Sequence, residues 1–339
     1  MGKLFGGLLL VVLLLSAGLY VWYQDALVSP LNIATSENYT LNIKKGDTLN
    51  AVARRLENDG IISNALLIRL HAKQQNQAHK IKAGQYVLDN KLNIPELLIK
   101  LVEGKVVLEQ ITIPEGLTFR EMLALLHNNS NIIPSLKDKS DAEIMLAIGQ
   151  ADVTPEGQFL PETYRFAKGT EDRVILKQSF NAMQEVLKAA WENRNPDIEI
   201  KTPYEALILA SIIEKETGVF DEQATIAGVF NSRLRIGMRL QTDPTVIYGM
   251  GDRYTGNIRK RDLQTDTPYN TYTRSGLPPT PIALPGKNAI MAALNPEQHK
   301  KLYFVATGDG DGRHYFSESL AEHQLAVQRY LRNYRKQNK

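Results

Sequence analysis

Twenty consecutive residues without a charge, Leu4 to Tyr23 (LFGGLLLVVLLLSAGLYVWY), constrain this chain more than any other feature. At about 1.5 Å rise per residue, a helix of that length spans the roughly 30 Å hydrocarbon core of a bilayer. Tyr20, Trp22 and Tyr23 cluster at its far end, where amphipathic rings favour the membrane–water interface. Lys3 and the amino terminus precede the run and Asp25 follows it. The positive-inside rule therefore puts residues 1–3 in the cytoplasm, makes 4–24 a single-pass anchor, expected in the cell inner membrane, and sends the rest to the periplasm or cell exterior. A cleaved signal peptide is the competing reading. The apolar run is longer than a usual signal core, and no small-x-small site follows Trp22, so the anchor is expected to stay.

The 339 residues leave room beyond the anchor for two modest domains or one large one. Hydrophobic residues make up 43% and charged residues 23%, enough apolar material to bury a core. The net charge is only +3, and much of the excess lies in Arg329, Arg332, Arg335, Lys336 and Lys339, a solvated helix end or a weak lure for anionic polymer. No basic stripe with interleaved aromatics suggests nucleic acid. With no cysteine there can be no disulfide, thiolate metal site or cysteine nucleophile. The six histidines show no HExxH-like spacing, and no glycine-rich phosphate loop precedes a helix, so neither a metal nor a cofactor is expected.

Residues 25–38 are polar and turn-rich, and read as a tether. LNIKKGDTLNAVARRL (41–56) follows as strand, Gly-containing turn, and helix capped by Asp47 or Thr48. ITIPEGLTFREMLALL (111–126) repeats that grammar, with Thr118 and Glu121 as a capping box. AGQYVLDNKLNIPELLIKLVEG lies between them as a third strand-then-helix unit. These βα units resemble the LysM-type carbohydrate-binding fold, most clearly at Lys45-Gly46-Asp47-Thr48-Leu49; a purely structural module is the alternative. Further on come a mixed stretch at 128–158, a helix near 171–191, a strand at 302–306, a Gly/Asp hairpin turn without an EF-hand's ligand ladder, a strand at 313–316, and a helix from about Leu320 to Tyr334.

TPYEALILASIIEKETG (202–218) has well-marked ends: Thr202 as N-cap, Pro203 at the first helical position, Glu205 closing a capping box, and Gly218 as the terminating residue. On a wheel of about 100° per residue, Glu216 falls at about 180° from Leu207, inside the arc of Ile208, Ile212, Leu209 and Ile213. Glu214 falls near Ser211 and is expected to face solvent. A carboxylate among apolar neighbours takes a raised pKa or a partner, and at a helix C-terminus the macrodipole disfavours its anion further. A carboxylic acid still protonated near neutral pH can donate a proton to a glycosidic oxygen. The bland alternative is a helix-end glutamate that reaches water or pairs with an arginine.

Three stretches, ASIIEKET (210–217), FNSRLRIGMRLQTDPTVIYGMG (230–251) and TPYNTYTRSGLPPTPIALPG (267–286), closely resemble the YceG-like family, the endolytic murein transglycosylases. The likeness covers essentially the whole chain beyond the anchor. It implies cleavage of the β-1,4 bond between N-acetylmuramic acid and N-acetylglucosamine in nascent peptidoglycan strands, with Glu216 catalytic. Glu216 would protonate the leaving oxygen and then accept the proton of the muramyl 6-hydroxyl, closing a 1,6-anhydro ring and ending elongation. It also implies peptidoglycan synthases as partners.

The fold class expected is α+β: an N-terminal transmembrane helix, a LysM-like βα module at 39–108, and a mixed α/β catalytic domain at 109–339. Asn231, Arg233, Gln241, Thr242, Asp243, Tyr248, Asn270, Tyr272 and Glu162 are the candidate sugar-binding residues, local capping or turn chemistry being the alternative for each. Asp243-Pro244 and Thr267-Pro268 read as turn starters, and GLPPTPIALPG as a rigid loop. Two other functions stay open. A hydrolase would need a second carboxylate about 5–10 Å from Glu216, for which Asp243, Glu162 and Glu214 are candidates. A non-catalytic peptidoglycan-binding scaffold would not need Glu216 at all.

Overall fold

In the computed structural model, which describes residues 2–337, the apolar run forms one long helix, α1 (Gly2–Val28). The side chains of the expected cytoplasmic 1–3 segment, and of Lys336 and Lys339, lie outside the description. From Leu8 to Leu15 and again from Leu19 to Trp22 the side chains of α1 are 51–69% exposed. Such a surface has no partner in water, and the helix is long and apolar enough to cross a membrane.

The chain then divides into two compact units: Met1–Glu109 with Arg165–Gly169, and Gln110–Tyr164 with Thr170–Lys339. The first continues as β1 (Tyr39–Ile43), α2 (Leu49–Asn58), α3 (Ala65–Gln74), β2 (Gly84–Leu88) and α4 (Ile94–Glu103). β1 and β2 pair antiparallel, Leu41 opposite Tyr86, and their inward side chains meet the apolar faces of the helices. Thr48, not Asp47, caps α2 by accepting the Ala51 N–H, while Asp47 accepts the Lys44 N–H and pairs with Arg55. The α3 helix separates the first strand-helix pair from the second. The 25–38 segment is no loose tether: Leu27 and Leu31 are buried in this core, the Leu31 N–H donates to Leu92, and Asn32 Nδ2 donates to the Gly60 carbonyl. That grip ties α1 to its unit.

The second unit comprises β3 (Leu108–Thr112), α5 (Phe119–His127), β4 (Ile132–Ile133), α6 (Asp141–Ala147), β5 (Thr163–Ala167), β6 (Thr170–Glu171), α7 (Asp172–Glu192), α8 (Pro203–Glu216), α9 (Phe220–Arg235), α10 (Asp243–Met250), α11 (Lys260–Gln264), α12 (Lys287–Leu294), β7 (Tyr303–Ala306), β8 (His314–Ser317) and α13 (Leu320–Gln337). The ends of β3 and β5 that belong to the first unit carry the chain across the division. The Thr118–Glu121 capping box forms as expected. So does the β7–β8 hairpin, with Tyr303 opposite Ser317 and positive-φ glycines at Gly308, Gly310 and Gly312 in its turn.

The core of this unit is built around α8. Every residue from Ala206 to Ile213 is buried, packed by α7, α9, α10 and α12. The helix is therefore buried on all sides and not a one-faced stripe. Its ends also differ from expectation. Thr202 caps the Glu205 N–H, but the Glu205 carboxylate accepts the Lys201 N–H, so the reciprocal box does not close. At the other end Thr217 leaves the helix in an extended conformation, and its hydroxyl accepts the Val219 N–H. Gly218 does not take a positive φ, because the chain turns straight into α9 without a left-handed cap.

Candidate active site

Glu216 is the last residue of α8, where core gives way to surface, and its side chain is only partly exposed. Among the described residues one hydroxyl serves it: Thr242 Oγ1 donates to Glu216 Oε1. Burial pushes the carboxyl up to about 7. The Thr242 hydrogen bond pulls it back, the neighbouring Asp243 carboxylate raises it, and the Arg233 charge lowers it. The group can thus hold a proton near neutrality and release it to a modest change in surroundings.

Thr242 is delivered by the start of α10. It is 2% exposed and immobilised by a threonine cluster: its N–H donates to Thr271 Oγ1 at 3.0 Å, and its carbonyl accepts from Thr245 Oγ1 at 2.8 Å. Gln241, just before it, takes a positive φ of 47° and donates its N–H to the Thr271 carbonyl. That kink swings the chain into α10, while the Gln241 side chain points to solvent. Asp243 begins α10 with Pro244 in the first turn, so DPT starts a helix here and not only a turn. The Tyr272 hydroxyl donates to Asp243 Oδ1 at 2.5 Å, and burial raises that hydroxyl's pKa, so Tyr272 stays protonated.

Arg233 reaches the same place from α9. Its Nε donates to the Leu302 carbonyl at 2.7 Å and Nη1 to the Leu240 carbonyl at 2.5 Å, and the guanidinium lies 5.6 Å from the Tyr303 ring centroid. Backbone carbonyls do not neutralise it, so a full positive charge faces Glu216 and Tyr272. Glu216, Thr242, Asp243, Arg233 and Tyr272 therefore form one constellation out of three separate stretches of chain.

The other candidates lie elsewhere or hold backbone. Asn231 is buried and accepts the Glu199 N–H at 2.8 Å. Asn270 is buried too, donating through Nδ2 to the Thr265 carbonyl at 2.7 Å and accepting the Tyr272 N–H at 2.9 Å. It shapes the turn from which Tyr272 projects. Glu162 is on the surface with Lys287 at 3.2 Å, held below its usual pKa by the Thr163 N–H and then by that lysine. Glu214 does not simply face solvent: it accepts the Gly286 N–H at 3.0 Å, and burial raises its pKa. Of the three possible second acids, only Asp243 is brought beside Glu216.

Tyr248 sits farther along α10 and introduces a residue that sequence reasoning missed. Its hydroxyl donates to Glu156 Oε2 at 3.0 Å, and the Phe119 N–H donates to Glu156 Oε1 at 3.0 Å. Glu156 is 7% exposed, and burial pushes it up to about 7 against the pull of these donors. A glutamate in the turn TPEGQ carries no periodicity, so nothing local foretold its burial. The neighbouring Gly157, at φ 77°, stands where an added Cβ would lie 2.4 Å from Pro281. Among the described residues no three His, Cys, Asp or Glu side chains converge on a metal-sized site.

Residues 41–329 match the YceG-like family. A Bacillus subtilis (strain 168) protein named endolytic murein transglycosylase is 29% identical over 331 residues, covering 91% of this chain and 89% of its own length. A Streptococcus pneumoniae (strain D39) protein of the same name is 29% identical over 361 residues. That match covers 95% of this chain but 64% of the streptococcal protein. In three dimensions the chain is similar to the crystal structure of a YceG-like protein from Listeria monocytogenes, with TM-score 0.51 and 30% identity, over 85% of this chain and 99% of that one.

Proposed function

The chain belongs to the YceG-like family, and we infer that it is a peptidoglycan lytic transglycosylase in which Glu216 moves the protons. The observation that carries this role is a partly buried carboxyl poised at about 7 and held, among the described residues, by a single hydroxyl. With Thr242 on Oε1, the proton resides on Oε2 and is free to pass to a glycosidic oxygen. The C1–O4 bond between N-acetylmuramic acid and N-acetylglucosamine then breaks, and the oxygen leaves as a hydroxyl. The resulting carboxylate, steadied by Thr242 and the Arg233 charge, takes the proton of the muramyl 6-hydroxyl. O6 bonds to C1, the 1,6-anhydro ring closes, and Glu216 regains its proton. No water is consumed, so one carboxyl suffices for both halves.

Asp243 supports a different chemistry at the same place. A hydrolase would use it to activate water on the far side of the sugar. Its tie to Tyr272 instead occupies one of its oxygens and turns it towards the loop. Arg233, Asp243 and Tyr272 bind the sugars beside the scissile bond. The N-terminal helix anchors the enzyme in the inner membrane, amino terminus inside, which places the site where nascent strands emerge and suits it to ending their elongation. The βααβ portion of the first unit, LysM-like in order, binds the same polymer, and peptidoglycan synthases are natural partners there.

The test is to treat uncrosslinked peptidoglycan with the full chain in detergent and with its Glu216→Gln variant, and to weigh the products. Ends lighter by one water, made only by the unaltered protein, are expected. Ordinary reducing ends would replace this reading with the hydrolase. Equal cleavage by both proteins would remove Glu216 from the chemistry, and binding without cleavage by either would leave a scaffold.

A further inference from the structure

Cutting within a strand means that sugars extend beyond the reacting pair on both sides, so a binding surface must continue away from Glu216. Two elements run side by side from the acid. α10 starts at Thr242 and Asp243 beside Glu216 and reaches Tyr248 six residues on, about 9 Å along its axis at about 1.5 Å per residue. The 267–273 turn accompanies it: Tyr272 meets Asp243 at one end, and the Tyr269 ring lies 4.9 Å from that of Tyr248 at the other. Their approach is so close that a Cβ on Gly249 would sit 3.0 Å from Thr267 Oγ1 and from Tyr269 Cβ. The two elements form one continuous wall.

At its far end this wall opens into a cleft of about 900 Å³ between α10, α5 and the 154–156 turn. The volume suits a small-molecule-sized ligand, for which pockets run from about 300 to 1,000 Å³. Tyr248, Tyr254 and Tyr269 line it together with Phe119, and Glu156 stands in its wall. Aromatic rings present electron-rich faces, which take the C–H faces of a pyranose. A carboxylate has about four acceptor positions. The Phe119 N–H takes a position on Oε1 and the Tyr248 hydroxyl one on Oε2, and a remaining position can accept from a sugar hydroxyl or acetamide N–H. The cations at the rim are already matched, Arg120 with Asp252 at 3.4 Å and Lys139 with Glu143 at 3.1 Å, so a neutral ligand fits better than an anionic peptide.

We propose that the cleft bounded by Phe119, Glu156, Tyr248, Tyr254 and Tyr269 is a glycan subsite that holds N-acetylated sugar rings of the strand beyond those being cleaved. The proposal rests on the glycan-cleaving reading above and adds the direction in which the strand leaves the catalytic acid. Glu156 orients Tyr248 and contributes a hydrogen bond to the sugar, and it takes no part in the proton transfers. Access of long strands, not the rate of bond breaking, is what the cleft governs.

The test uses peptide-free glycan strands sorted by length. Binding is measured to the full chain carrying Glu216→Gln, with and without Tyr254→Ala or Glu156→Gln, and cleavage is measured with Glu216 intact. Long strands should lose about tenfold in affinity and in kcat/KM with either cleft variant, while the shortest strand that is cleaved loses far less; tenfold corresponds to about 1.4 kcal/mol. Equal losses at every length would make Glu156 and Tyr254 merely structural and overturn the subsite, as would no loss at any length. Tyr254→Ala keeps the test open if Glu156→Gln folds poorly. If the unaltered protein binds long strands through the cleft yet cleaves none, the subsite stands and the catalytic reading falls.

Discussion

Glu216 and Asp172 both lose most of their water in the same unit, yet their surroundings differ in one respect that decides what each can do. Asp172, wholly inaccessible at the start of α7, accepts from the Ser135 N–H and hydroxyl, the Leu136 N–H, the Arg173 N–H and His127 Nε2. Among the described residues Glu216 receives a single threonine hydroxyl. Donors stabilise a carboxylate in proportion to their number and alignment. A saturated carboxylate is a structural staple that pins the 135–136 turn to α7. A sparsely served one is left able to exchange a proton. Burial alone therefore does not decide what these two carboxyls can do; the donors around each separate them.

The largest effect expected from this contrast is at Glu216. Glu216→Gln keeps the shape and removes the proton, and should cost at least about 10²–10⁴ in cleavage rate, with an unchanged circular dichroism spectrum. Asp172→Ala should do the opposite. Removing it strands buried N–H groups, which costs about 3–5 kcal/mol as for one partner of a buried pair. Denaturant unfolding would read that loss, while the cleavage rate per folded molecule stays unchanged, since no transition-state contact is removed. A Glu216→Gln protein that still cleaves, or an Asp172→Ala protein as stable as its parent, would break the comparison.

Much of the architecture around these residues was legible, for local reasons. Thr118–Glu121, Thr202 and Pro203 announce helix starts through capping chemistry that needs no tertiary contact. The gathering of Thr242, Asp243, Arg233 and Tyr272 about Glu216 was legible only as a set of candidates, because their meeting depends on how α9 and α10 dock on α8. The helical wheel pointed to Glu216 through an apolar arc, but α8 is buried all round, and Glu214 is partly buried too. What separates the two is that Glu214 meets a backbone N–H and Glu216 a side-chain hydroxyl. Glu156 was not legible, since its burial comes from Phe119 and Tyr248, 37 and 92 residues away.

A smaller effect concerns stability against pH. The folded-state pKa of Glu216, about 7, exceeds its ordinary 4.5. Below about pH 4.5 both folded and unfolded chains keep the proton, and nothing is lost. Between 4.5 and 7 the unfolded chain releases it while the folded one holds it, so stability falls as pH rises through that window. Discounted for partial exposure, the fall amounts to about 1–2 kcal/mol. Glu216→Gln abolishes this contribution, so its thermal midpoint should gain on the parent's between pH 5 and 8. Glu156 titrates in the same direction, but it is present in both proteins and cancels in the difference.

The smallest effect isolates the one donor itself. Thr242 lowers the Glu216 pKa by hydrogen bonding to its anion, so Thr242→Val, nearly equal in volume, should raise it. If the acid must be protonated to start the reaction, kcat/KM declines above the free enzyme's pKa, and the parent's decline centres near 7. The variant's decline should shift upward in pH. Its maximal rate should fall as well, because the carboxylate formed after the first proton transfer has lost its hydroxyl. A variant that merely loses activity at every pH, with the decline unmoved, would mean that Thr242 holds α10 in place and does not tune the acid. The threonine cluster allows this distinction: Thr271 still accepts the residue 242 N–H in the variant, so the backbone of α10 keeps its anchor while the hydroxyl is gone.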